Sequence, residues 1–238
     1  ILRKVHYAFS AFLCTACLVS CNDWLKPEPL SFYSPENTYV TKEGLEGALV
    51  SCRAMIRPEF IGNNSYACTE LMTSDVAVAA NIVAQTLKNF EIQLKPGAYG
   101  DSQIGTFWSK GYSAIQKANT IISRVQAADE ITENDKNTIL AEGYFHRSYW
   151  YYKLVNQFGD VPFIDKEVTT PKLDFYSHTR SSILKRLRED MMFATRYLPE
   201  SAPHGAVSKA AGNHLLAKIC LACCDFDGDV AATTAVID

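Results

Sequence analysis

Glu142 and Asp160 are the two carboxylates that could be nominated for acid/base cleavage of a glycosidic bond, chemistry that needs two carboxyl groups about 5–9.5 Å apart. Glu142 falls inside a helical pattern and Asp160 in the turn that follows, 18 residues on, and nothing in the sequence demonstrates that separation for them. Cys220-x-x-Cys223 has the form of a redox pair or half a zinc site. No second Cys-x-x-Cys or His-x-x-x-His lies at a zinc spacing, and no βαβ pattern surrounds it, so both cysteines read as small hydrophobes buried on a helix. His146 lies on a polar stripe and reads as a solvated surface histidine, while His178, His204 and His214 have no metal-spaced partners. Gly-x-Ser-x-Gly, His-Glu-x-x-His, phosphate-loop and dinucleotide patterns are all missing. The residue types therefore assign no catalytic residue, no metal and no cofactor.

The elements that must position these residues are helices. Leu45, Leu49, Cys52 and Ile56 recur at helical spacing, with Thr41 as N-cap and Pro58 closing the segment; Gly44 and Gly47 weaken it. Residues 59–105 mix Asn63-Asn64, Pro96-Gly97 and Gly100-Asp101 with short apolar runs, the pattern of a long irregular excursion between better-defined helices. Trp108, Tyr112, Ile115, Ala118 and Ile122 predict a helix over about 106–128, which places Trp108 in the core. Thr132-Glu-Asn-Asp135 is a capping-box-like start for a helix over 134–158. On that helix Glu142, His146, Lys153 and Gln157 form one polar stripe, opposite Leu140, Tyr144, Tyr151, Val155 and Phe158. Seven of its residues from Tyr144 to Phe158 are aromatic, Trp150 among them, which predicts packing on more than one neighbour. Gly159 suits a C′ position and Pro162 forbids continuation.

A helix over 180–198 carries the apolar seam Leu184, Leu187, Met191, Ala194 and Leu198; its Lys185-Arg186 and Arg188 cluster reads as solvated, and Pro199 ends it. The next, over 207–224, is rich in small residues that permit close helix approach, and an Ala-rich segment after Gly228 starts another that stops at Asp238. Successive amphipathic helices with short turns predict an all-α fold of stacked helical hairpins of tetratricopeptide type, although no strict 34-residue self-similarity is present.

Composition narrows the partners. The 238 residues are 47% hydrophobic and carry a formal charge of −3, which excludes disorder and gives no global positive field for a nucleic-acid backbone. At the N-terminus, Arg3 and Lys4 precede an apolar run from Tyr7 to Val19 and then Leu18-Val19-Ser20-Cys21, the layout of a secretory signal. That run spans roughly 20 Å as a helix, short of the roughly 30 Å hydrocarbon core. Leu-Val-Ser-Cys resembles a bacterial lipobox, in which the cysteine takes a lipid and becomes the new N-terminus; the alternative is an ordinary signal peptide without an Ala-x-Ala site. Residues 1–20 are then a signal peptide, and 21–40, with Pro27, Pro29, Pro35 and Trp24, a tether ahead of a helical domain over 41–238. Five cysteines stay behind, Cys52, Cys68, Cys220, Cys223 and Cys224, and five cannot all pair internally.

The stretch from Ala141 to Phe163, with its Ala-Glu start, aromatic middle and Phe-Gly-Asp-Val-Pro close, resembles the signature helix of SusD/RagB-type outer-membrane lipoproteins. The lipobox, Glu70-Leu-Met-Thr-Ser-Asp75, Trp108 through Ala118-Asn119, Arg180, Leu198-Pro199, Val207-Ser-Lys-Ala-Ala211 and Leu215-Leu-Ala-Lys-Ile219 follow in the family's order. Gly143 departs from it, standing where a better helix former is usual. The resemblance implies a lipoprotein anchored through Cys21 and exposed at the outer-membrane surface. Such a protein binds an oligosaccharide or polysaccharide and passes it to a SusC-like, TonB-dependent transporter, with no nucleic acid and no cofactor involved. It implies that ligand loops of this half lie within 76–105, where Phe90 and Tyr99 are the only aromatics and Asn81, Asn89 and Asp101 the polar candidates; ordinary loop and core residues are the alternative. A scaffold that binds only proteins, or a variant that captures peptides, is the second reading of function. The family's length and the stop inside an Ala-rich helix imply a C-terminal truncation.

Overall fold

Thr41 opens the first helix by accepting a hydrogen bond from the Gly44 amide at 3.2 Å, and α1 runs from Lys42 to Phe60. The structure is a computed structural model that describes residues 38–60, 103–129, 131–202 and 205–223, all within a unit spanning Thr38–Asp238. Cys21, Trp24, Cys68, Asn81, Asn89, Phe90, Tyr99, Asp101, His204 and Cys224 lie outside the described residues. Pro58 does not close α1 as expected, because the helix continues two residues past it. The reason is tertiary: Glu59 in that last turn is fully buried and held by Lys153 Nζ and the Tyr149 hydroxyl, each at 3.0 Å.

Two helices follow, α2 (Gln103–Val125) and α3 (Glu133–Phe158). Thr132 caps α3, its hydroxyl accepting from the Asp135 amide at 3.2 Å. At the other end Gly159 takes φ +75° and donates to the Val155 carbonyl at 3.1 Å, a backbone shape that side-chain-bearing residues rarely adopt. The chain then forms β1 (Val161–Pro162), which pairs antiparallel with β2 (Ser177–His178); this two-residue ladder is an addition to the helical plan. Thr179 caps α4 (Arg180–Tyr197), and α5 (Lys209–Cys223) completes the described elements.

α3 is the central helix: α1, α2 and α4 all pack against it, and α5 packs on α4. The result is an all-α stack of helical hairpins of tetratricopeptide type. Leu184, Leu187, Met191, Ala194 and Leu198 are all buried, so the predicted seam is the inner face of α4. One core joins α2, α3, α4 and α5 around Ile115, Trp150, Leu154 and Leu187, and a second joins α1, α2 and the start of α3 around Leu49, Cys52, Val125 and Ile139. Gly143 earns its departure from helix propensity here. A Cβ at this position would stand 3.0 Å from Ile122 Cγ1, so glycine permits the close crossing of α2 and α3. Among the described residues no helix is long and apolar enough to cross a membrane.

Candidate functional site

The polar stripe of α3 is where expectation and structure part. Glu142 and His146 are buried rather than solvated, because α1 lies along the stripe and supplies the partners. Arg53 donates from Nε to Glu142 Oε1 at 2.6 Å and from Nη2 to Oε2 at 2.9 Å, a two-pronged pair. His146 Nε2 stands 3.5 Å from Glu142 Oε1, and neither ring nitrogen makes a hydrogen bond. Burial pushes the Glu142 carboxyl up, but the adjoining His146 and Arg53 outweigh burial and hold it below the usual carboxylate range. Glu142 is thus committed to the α1–α3 contact. Asp160 lies past the end of α3 and accepts from the Arg180 amide at 2.8 Å. Helical rise alone puts the two carboxylates roughly 24 Å apart along α3, far beyond an acid/base pair.

A second buried pair was missed from the sequence. Arg147 donates from Nε and Nη2 to Asp190 Oδ2 at 3.2 and 2.5 Å, and from Nη1 to Asn119 Oδ1 at 3.3 Å and the Asp165 carbonyl at 2.9 Å. This one guanidinium ties α2, α3, α4 and the loop after β1 together. The signal was present: Arg147 continues Leu140 and Tyr144 toward Tyr151 on the apolar face, and Asp190 lies beside the seam of α4. A charge on each of two apolar faces marks a buried pair.

Toward its C-terminal end α3 opens onto a cleft of about 630 Å³ shared with α5. Phe60, Tyr149 and Tyr152 supply aromatic surface, Lys153, Asn156 and Gln157 follow along α3, and His214 and Lys218 face them from α5. Lys218 Nζ lies 5.5 Å from the centre of the Tyr152 ring, a cation–π distance. Asn156 Oδ1 accepts from Arg180 Nη2 at 2.8 Å, which brings the first residue of α4 to the end of the cleft. Lys153 is paired behind the wall with Glu59. Aromatic faces beside amides and cations make a surface suited to a polar ligand with exposed C–H faces. A smaller hollow of about 340 Å³ lies along the loop from Phe163 to Phe175.

Other expected positions fall as follows. Trp150 is fully buried, and Trp108 is half-buried, edge-on to Phe158 at 4.9 Å, so both tryptophans pack in the core rather than form a platform. Cys52 and Cys220 are buried and Cys223 is half-buried, with burial pushing the Cys52 thiol up to about 12. In the basic cluster of α4, Arg186 is exposed yet pairs with Asp190 at 3.4 Å and Glu189 at 3.9 Å. The cleft was not foreseen, because its walls come from α3 and α5, some sixty residues apart.

A SusD-like family model, described as starch-binding and associating with the outer membrane, matches residues 44–221, most of the chain. The chain belongs to the SusD-like family. SusD-like protein P2 of Formosa agariphila is 29% identical over 230 residues, covering 94% of this chain and 44% of the relative. Among solved structures, a SusD-like protein from Bacteroides fragilis superposes with a TM-score of 0.71 at 19% identity, covering 88% of this chain and 40% of that one. Surface glycan-binding protein A from Bacteroides uniformis superposes at 0.65 with 18% identity, covering 83% and 46%. The chain spans less than half the length of each of these SusD-like relatives, and the structural likenesses carry the fold.

Proposed function

We propose that this chain is part of a lipid-anchored, surface-exposed outer-membrane protein that binds glycans and hands them to a TonB-dependent, SusC-like transporter. The observation that carries the reading is the family match over residues 44–221. The chemistry of the cleft agrees with it: tyrosine faces can lie against pyranose C–H groups while amides and cations take the hydroxyls. Binding rather than catalysis is supported by the committed state of Glu142, whose carboxylate is held by Arg53. The anchor is Cys21, the tether and helical domain follow at 21–40 and 41–238, and Asn81, Asn89, Phe90, Tyr99 and Asp101 are further candidate ligand contacts.

Affinity electrophoresis of the full chain through gels containing a panel of polysaccharides tests the binding step. Retardation by at least one glycan is expected. Free migration through the whole panel, with retained co-purification of a transporter, favours the protein-only scaffold instead. Cys21→Ser is expected to move the protein from the membrane fraction to the soluble one and to abolish labelling by radioactive palmitate.

A further inference from the structure

The α3/α5 cleft presents hydrogen-bond donors and positive charge, and among the described residues its lining contains no carboxylate. Lys153 is balanced by Glu59 behind the wall, so it adds little net field. Lys218 is different. It is exposed, sits over the Tyr152 ring, and pairs with no carboxylate among the described residues. Arg180, at the end of the cleft, spends its guanidinium on Asn156 Oδ1 at 2.8 Å and the Ala222 carbonyl at 3.4 Å, neither of which cancels its charge. The Asp160 carboxylate accepts instead from the Arg180 backbone amide at 2.8 Å.

Asn156 adds a directional element. Arginine carries only donors, so the Asn156 oxygen must face Arg180, and the amide NH₂ is the end left to meet a ligand. One amide that could have accepted from a sugar hydroxyl is thereby turned into a donor. The charge of Lys218 lies over the Tyr152 ring, 5.5 Å from its centre, so an anionic group on a saccharide held in the cleft beside that ring comes within its reach. The whole chain carries a formal charge of −3, so Lys218 in the lining and Arg180 bonded to the lining residue Asn156 run against the net charge of the protein.

We propose that the α3/α5 cleft selects acidic saccharides, those bearing carboxylate or sulfate groups, through Lys218, Arg180 and the Asn156 NH₂. The inference rests on the glycan-binding reading and names the ligand class within it. Charge-assisted hydrogen bonds are roughly twice as strong as neutral ones, which is the source of the selectivity.

The test uses the full chain and paired probes: oligogalacturonate beside its methyl ester, and a sulfated galactan oligosaccharide beside its desulfated form. Calorimetric titration at low ionic strength is expected to give at least one acidic member a Kd about tenfold tighter than its neutral partner. The ratio should shrink as salt rises, and Lys218→Gln or Arg180→Gln should bring it toward one while leaving the circular dichroism spectrum unchanged. Equal or tighter binding of the neutral members, or a ratio that survives Lys218→Gln, overturns the acidic selectivity and leaves glycan binding standing. Absence of binding to every saccharide, acidic and neutral, overturns both.

Discussion

The two halves of α3 use the same residue types to opposite ends. Glu142 and Arg147 are buried, and each is met by a partner from another helix: Arg53 on α1, Asp190 on α4. Near Lys153 and Asn156 the helix faces a cleft, and the cations of the facing elements, Lys218 and Arg180, have no carboxylate partner among the described residues. The difference teaches where this fold keeps its stability and where it keeps chemistry for a ligand. A buried charge with a partner fixes helices in place and cannot be spared, whereas an exposed one over an aromatic ring is available.

Removing cations one at a time along this gradient is the direct way to break the comparison, and the largest effect is expected at Arg147. Arg147→Met leaves Asp190 buried without its main partner and removes donors from Asn119 and the Asp165 carbonyl. Breaking a buried pair from one side costs about 3–5 kcal/mol, which urea denaturation would read as a large fall in midpoint. A loss below about 1 kcal/mol would mean that the closed half is not what holds α2, α3 and α4 together.

Arg53→Met comes next, at about 2–4 kcal/mol, because its side chain is partly open to solvent while Glu142 is not. This site also carries a pH signature. The Glu142 carboxyl is lower in the folded chain than its ordinary value of 4.5, so its stabilisation is fully present above about pH 4.5 and is lost as pH falls through the folded value. Without Arg53 the opposing effect of burial gains weight and the carboxyl rises. The variant should therefore unfold at a higher pH than the parent in an acid titration followed by circular dichroism. Coincident acid transitions in the two proteins would assign the acid sensitivity to other carboxylates.

These same residues show what the sequence discloses and what it hides. The α4 seam was legible because Leu184, Leu187, Met191, Ala194 and Leu198 repeat at helical spacing, and a helix needs only its own period to declare an inner face. The stripe of α3 was legible as polar, but its burial was not: Arg53 and Glu59 reach it from about ninety residues upstream, and no local pattern encodes that pairing. Pro58 was misread for a related reason, since the backbone rule for proline is local and the contacts of Glu59 are not. The cleft depends on the relative placement of α3 and α5, which composition does not specify. Even so, Arg147 and Asp190 on apolar faces were a readable sign of a buried pair.

Lys153 stands at the boundary between the two halves. Its side chain lines the cleft, yet its ammonium is 3.0 Å from Glu59, which is fully buried and also bonded by Tyr149. Lys153→Met should cost about 1–3 kcal/mol, less than Arg53→Met, because Glu59 keeps the Tyr149 hydroxyl. Thermal unfolding of the two variants in the same buffer orders them. A Lys153 loss equal to that at Arg147 would extend the closed half to the floor of the cleft.

Lys218 is the last step and the sharpest. Its ammonium lies over Tyr152, an exposed cation–π contact of the kind that contributes about 0.5–1 kcal/mol at most. The Lys218→Gln chain keeps much of the aliphatic stem and loses only the charge. A loss of unfolding free energy no larger than about 1 kcal/mol is expected, the size of the cation–π contact itself. Charge here would then be dispensable to the fold, unlike the charge at Arg147. If Lys218→Gln instead destabilised the chain as Arg53→Met does, the ammonium would be a structural partner of some buried group, and the open half would have to be redrawn as a second closed one.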